Sequence, residues 1–176
     1  IAYDDASLQT VADYLGKAWG TAQVSLQTSS RVGKLSNAIV LSLKKDKKLG
    51  DEGYRLTISP KGITIQASTP KGVLWGTQTL LQISQTYFTK NEDGVITRGL
   101  LPCGIITDKP DYPIRGMMLD VGRKFFPMSY LYSLVNILLY YKMNTLQLHL
   151  NDNGFKDQYN DSWDEAYAAF RMESDF

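Results

Sequence analysis

The residues best placed to do chemistry fall in one stretch near the end of the chain, Arg115 to Phe155, RGMMLDVGRKFFPMSYLYSLVNILLYYKMNTLQLHLNDNGF. RGMMLD opens on Arg115 and closes on Asp120, whereas TLQLHL sets Thr145, Gln147 and His149 against Leu146, Leu148 and Leu150 and runs into Asn151-Asp152-Asn153-Gly154. Polar residues thus gather where strand-like runs give way to loops, which is where parallel α/β architectures place their chemistry. His149 is the only histidine and Cys103 the only cysteine, which excludes multi-histidine and thiolate metal sites. No metal or cofactor is expected. Asp164-Glu165 is an adjacent acid pair, but Ser162-Trp163-Asp164-Glu165 is a capping box opening a short helix, and a cap accounts for both acids.

A strand, a helix and a second strand must position these residues. Arg115–Val121 is predicted as the first strand, with Ser129 as the cap of a helix reaching Lys142. Leu131, Leu134, Val135, Leu138 and Leu139 form an apolar stripe on that helix. Asn144 suits the left-handed position beyond its end, and Thr145–Leu150 is the second strand. Two strands joined by a helix make a βαβ unit, which implies parallel pairing and a right-handed crossover.

The first half of the chain reads differently. Ser7 to Trp19 carries Leu8, Val11, Ala12 and Leu15 at helical spacing, and Val24–Thr28 and Ala38–Leu43 read as strands. Tyr54–Ser59 and Ile63–Ala67 alternate on either side of Pro60-Lys61-Gly62, which predicts a β-hairpin. Thr69-Pro70 has the form of an N-cap followed by proline at the first helical position, opening a helix that ends near Gln85. A polar hairpin over 86–98 and a strand over Leu100–Ile106 follow, with Cys103 expected as a buried small hydrophobe. The sum is an α+β domain, an antiparallel sheet with two helices on one face. Asp108-Lys109-Pro110-Asp111-Tyr112-Pro113 is an extended, proline-punctuated link, which sets expected domains at 1–108 and 109–176.

Bulk properties narrow the function classes. The chain has 176 residues, 43% of them hydrophobic and 21% charged, as in ordinary globular domains. A net charge of +1 makes no case for nucleic acid or a membrane surface. The run KKDKK, Lys44 to Lys48, is the one basic cluster and reads as a solvated turn. No stretch approaches the roughly 20 apolar residues of a spanning helix.

At RGMMLDVGRKFFP and LQLHLNDNGF the chain resembles glycoside hydrolase family 20, the β-N-acetylhexosaminidases. EGYRLTISPKGITIQASTPKGVLWGTQTLLQI is similar to the α+β domain that precedes the catalytic barrel in that family. The resemblance implies that the second domain is the truncated start of a (β/α)8 TIM barrel, since such barrels run to about 250 residues. The chain would then be an N-terminal fragment of an exo-acting enzyme that removes terminal N-acetylhexosamine from glycans. In this family the substrate's own acetamido group is the nucleophile. An Asp-Glu pair after the fourth barrel strand orients that group and protonates the leaving oxygen. Asp164-Glu165 does not match that pair, so no catalytic residue is expected in this chain and the fragment is expected to be inactive. The resemblance favours a periplasmic or secreted location.

Residue by residue, the resemblance assigns Arg115 to the ring hydroxyls of the terminal sugar, for which a planar guanidinium is well suited. The competing reading is structural, because the start of a barrel strand is normally the stabilising end. Asp152 matches an acidic position of the family's strand-two loop and is the second substrate-binding candidate. Asp120, His149 and Asn153 are expected to support the pocket, although Asp120 could equally order a loop and His149 could be a satisfied interior histidine. The family pattern Asp-Asp-Gln-Gly-Trp stands here as Asn151-Asp152-Asn153-Gly154-Phe155, with one acid fewer, and Lys124 replaces a common histidine. The alternative function is a non-catalytic carbohydrate-binding or accessory module. Open barrel strands also make a homo-oligomer a possible partner state.

Overall fold

The computed structural model describes residues 1–19, 35–92, 96–122 and 124–150, which form two compact units, Ile1–Asp111 and Tyr112–Phe176. The expected strand at 24–28, the loop after Leu150 and the capping-box helix lie outside the described residues.

In the first unit β1 (Ala2–Tyr3) leads through a short 3-10 turn into α1 (Gln9–Trp19), followed by β2 (Ala38–Leu43). Next come β3 (Tyr54–Ser59), β4 (Gly62–Ala67) and α2 (Pro70–Tyr87). The short antiparallel pair β5 (Phe88–Lys90) and β6 (Ile96–Gly99) precedes β7 (Gly104–Asp108). The predicted hairpin forms, with Tyr54 opposite Ala67 and Ser59 opposite Gly62. Thr69 caps α2 as its sequence requires: its hydroxyl accepts from the Gly72 amide at 3.3 Å, and Pro70 fills the first turn.

The sheet is mixed, which corrects the antiparallel expectation. Its order is β1-β2-β4-β3-β7, and β2 runs parallel to both β1 and β4. The chain from β2 passes β4's place, enters β3 and returns as β4 through the hairpin, so β4 meets β2 in the same direction. Alternation with period two looks the same in either pairing, so the sequence pattern carried no direction. Leu41, Ile65 and Leu56 stand side by side in register and are fully buried. α2 covers this face at close range. A Cβ at Gly76 would lie 2.4 Å from Ile65 Cγ2 and 3.1 Å from Tyr54 Cδ2, so only glycine fits there. α1 lies against α2, where Gln78 Nε2 donates to the Tyr14 hydroxyl at 3.1 Å.

Two local expectations change. The last strand begins at Gly104, leaving Leu100–Cys103 irregular, and Cys103 is exposed. Its apolar neighbours Leu100 and Ile105 are exposed too, so the apolar run lies at the surface rather than in the core. Trp75 is buried and donates from Nε1 to Glu52 Oε2 at 2.8 Å, a core role. Trp19 packs edge-on to Phe88 at 5.5 Å.

The second unit contains β8 (Gly116–Asp120), α3 (Met128–Tyr140) and β9 (Thr145–His149), and the two strands pair in parallel as the βαβ pattern requires. The cap of α3 is not Ser129. The helix starts at Met128 after an extended Pro127, with no side-chain cap bond. Proline has the backbone angle for a helix entry and no amide to satisfy, and the cap and the helix start lie two residues earlier than expected. Among the residues of α3, Leu134 and Leu138 are buried, whereas Val135 is exposed.

Candidate functional site

The two ends of the β8–β9 pair differ in chemistry. At their N-terminal ends, Arg115 and Asn144 close a compact polar knot. The Arg115 amide donates to Asn144 Oδ1 at 3.0 Å, while the Asn144 and Thr145 amides donate to the Arg115 carbonyl at 2.8 and 3.2 Å. Asn144 Nδ2 reaches the Pro113 carbonyl at 2.8 Å. The guanidinium turns toward main-chain oxygens: Nε donates to Lys142 O at 2.9 Å and Nη1 to Tyr112 O at 2.8 Å.

The helix end explains why Lys142 offers its carbonyl there. The left-handed residue after α3 is Lys142, with φ 55°, and not Asn144. The Met143 amide donates to Leu138 O at 2.8 Å and the Lys142 amide to Leu139 O at 3.0 Å, the two bonds of a Schellman motif. α3 ends at Tyr140, so the left-handed position falls two residues before Asn144, whose side chain bonds to the Arg115 amide and the Pro113 carbonyl. The sequence marked this asparagine for a backbone conformation, and its bridging function was missed. Only a partner 29 residues away reveals it.

Gly116 belongs to the same knot. A Cβ there would lie 2.8 Å from both Thr145 Cβ and Thr145 O, so the glycine lets the two strands meet at this end.

At the C-terminal ends, Asp120 stands opposite His149 in the parallel register. Both are half-buried and both have partners. The His149 carbonyl accepts the Val121 and Gly122 amides at 3.0 and 2.9 Å, which anchors the loop leaving β8. Pleat alternation puts Met118 and Asp120 on one face with Gln147 and His149. On the other face, Met117, Leu119 and Leu146 are half-buried, whereas Met118, Thr145 and Gln147 are exposed. Burial does not divide the faces cleanly, since Leu148 and Leu150 are exposed whereas Asp120 and His149 are half-buried.

The structure thus brings Asp120 and His149 together and holds Arg115 apart from them. Five residues of strand separate Arg115 from Asp120, roughly 16 Å at 3.3 Å per residue. Asp152 and Asn153, the other two candidates, lie outside the described residues, as do Asp164 and Glu165. Among the described residues no group of three His, Cys, Asp or Glu side chains could hold a metal ion. No helix of the described residues is long and apolar enough to cross a membrane.

Comparison with known proteins places the chain in a family. Residues 1–109 match the model for glycosyl hydrolase family 20, domain 2, and residues 112–160 match the model for the catalytic domain of the same family. A beta-hexosaminidase of Akkermansia muciniphila is 37% identical over 141 residues, covering 77% of this chain and 27% of that protein. A beta-N-acetylhexosaminidase of Cellulomonas fimi is 32% identical and is covered to the same 27%. The solved structure of Streptomyces plicatus N-acetyl-beta-hexosaminidase in complex with Thio-NAglucal superposes with a TM-score of 0.73 at 32% identity. That match covers 87% of this chain and 30% of the Streptomyces chain. The chain spans a little over a quarter of the length of these curated relatives. Its two units are the domain that precedes the catalytic domain and the beginning of the catalytic domain itself, and the chain belongs to glycosyl hydrolase family 20.

Proposed function

We propose that this chain is part of an exo-β-N-acetylhexosaminidase that removes terminal N-acetylhexosamine from glycans by a substrate-assisted, retaining reaction. The observation that carries the reading is the succession of two family matches, 1–109 and 112–160, with a parallel βαβ unit inside the second. In this reading β8, α3 and β9 open a (β/α)8 barrel. The acetamido-orienting aspartate and the acid glutamate come from a later strand, and the 176-residue chain alone does not turn over substrate.

Within the same reading Arg115 and Asp152 contact the sugar, while Asp120, His149 and Asn153 support the pocket. Support for Asp120 and His149 comes from their side-by-side register at the C-terminal strand ends, where barrel enzymes build their sites. Arg115 stands at the opposite end, with two guanidinium donors on main-chain carbonyls that fix its plane. A sugar contact would be made from that fixed plane, at the floor of a deep pocket. The chain on its own leaves Met118, Val135 and Ile137 exposed, which suits association with a second copy or burial under later barrel strands.

The test is hydrolysis of a chromogenic N-acetylglucosaminide by this chain and by the complete coding sequence. Turnover by the complete protein alone is the expected result. Turnover by the 176-residue chain that survives substitution of Asp164 and Glu165 would place the active site elsewhere, and silence from both would sink the enzyme reading.

A further inference from the structure

Part of the run KKDKK borders a pocket. Lys44 and Lys45 follow the end of β2, and on the sheet face away from α2 the register places Ser42, Gln66 and Arg55 in one row. Together Lys44, Lys45, Asp46, Leu49, Arg55 and Gln66 line an open pocket of about 220 Å³. Three cations against one carboxylate give the pocket a net charge of +2, in a chain whose total is +1.

The pocket is built on fixed backbone. The Lys44 amide donates to Ala67 O at 2.8 Å, and the Asp46 amide to Ser68 Oγ at 3.0 Å. Asp46 O accepts the Leu49 and Gly50 amides at 3.1 and 3.2 Å, and Leu49 is buried beneath the turn. The one carboxylate in the pocket faces its own chain, since Asp46 Oδ1 accepts the Lys48 amide at 2.9 Å. Asp4, the acid nearest along the row, is likewise engaged, with Ser42 Oγ at 2.6 Å and the Leu43 amide at 3.0 Å. Among the described residues the side chains of Lys44, Lys45 and Arg55 form no ion pair. Holding like charges together without a counter-charge is unfavourable, and an anion relieves it.

The geometry points to a binding site here for an oxyanion carried on a sugar ring, a carboxylate or a sulfate ester. Arg55 supplies a planar fork for two oxygens, the lysines supply mobile point charges, and the Gln66 amide can pair with a ring hydroxyl. The volume suits a single sugar unit. The sugar half of this inference rests on the glycan reading above, whereas the anion half rests on the pocket alone. Such a site would hold charged glycans against the first unit.

The experiment is an NMR titration of the 176-residue chain at constant ionic strength, following the amides of Lys44, Arg55 and Gln66. The probes are glucuronic acid, N-acetylglucosamine 6-sulfate, neutral N-acetylglucosamine and sodium sulfate. Saturable shifts with a charged sugar, none with the neutral one, and about tenfold weakening in Arg55→Gln would support the site. Lys44→Gln, at an exposed position, should weaken binding in the same direction. No saturable shift, or affinity unchanged in both variants, overturns the proposal. Sodium sulfate binding as tightly as the charged sugars overturns its sugar half. Hydrolysis by the complete protein without binding here would fault this site alone, and binding here without hydrolysis would fault the enzyme reading.

Discussion

Arg115 Nε donates to the carbonyl of Lys142 at 2.9 Å, which joins the start of β8 to the end of α3. The acceptor belongs to the left-handed residue of a Schellman motif, so the arginine is tied to a carbonyl whose position the helix end fixes. An arginine proposed to hold a sugar therefore also holds its own scaffold, and the two roles can be separated by measurement.

Arg115→Ala removes the Lys142 and Tyr112 bonds together. Both acceptors are partly accessible to water, so the expected cost is about 1–2 kcal/mol. It should appear as faster hydrogen exchange at the Asn144 and Thr145 amides, which donate to the Arg115 carbonyl. Arg115→Lys keeps the charge but not the fork and should recover less than half of the loss. In the complete protein, a sugar contact predicts that Arg115→Lys impairs hydrolysis well beyond its effect on exchange. Equal effects on both would leave the arginine a purely structural role.

Gly116→Ala should weaken the strand pair. Its Cβ would meet Thr145 Cβ and O at 2.8 Å, and separating them costs about 1–3 kcal/mol. Thr145→Ser removes only Cγ2, at 3.2 Å, and leaves the tighter contacts, so the double variant should regain little. Thermal unfolding of the two single variants and the double decides it. Full rescue would show that the side chain, not the backbone approach, sets the constraint.

Acid should remove one small contribution from the first unit. The Asp5 carboxyl is held below its ordinary pKa by hydrogen bonds from the Ser7 hydroxyl, at 2.6 Å, and then the Ser7 amide, at 2.9 Å. A depressed folded-state pKa means that the stabilisation is complete above the unfolded value and is lost as pH falls through the folded one. Asn keeps the capping oxygen without the charge. The melting temperature of Asp5→Asn should therefore lie slightly below that of the parent at neutral pH, and the gap should close as pH falls through the folded-state pKa of Asp5. A gap that persists in acid would assign the effect to packing.

Local chemistry made much of this fold legible in the sequence. The β3–β4 hairpin, the Thr69-Pro70 entry to α2 and the strand–helix–strand order of the second unit all depend on neighbours within a few residues. The family motifs lie in the same short stretches. What only the tertiary structure decided depends on partners distant in sequence. Alternation could not say that β2 runs parallel to β4, because a pleated strand shows the same pattern in either direction. An apolar run around Cys103 could not say that it would lie at the surface. Asn144 was legible as a residue for the turn after α3, but Lys142 holds the left-handed position and Asn144 bonds across to Arg115 and Pro113. The arginine's type was plain from the start; that it bridges a helix end and a strand start could come only from the fold, which alone determines where carbonyls meet a guanidinium.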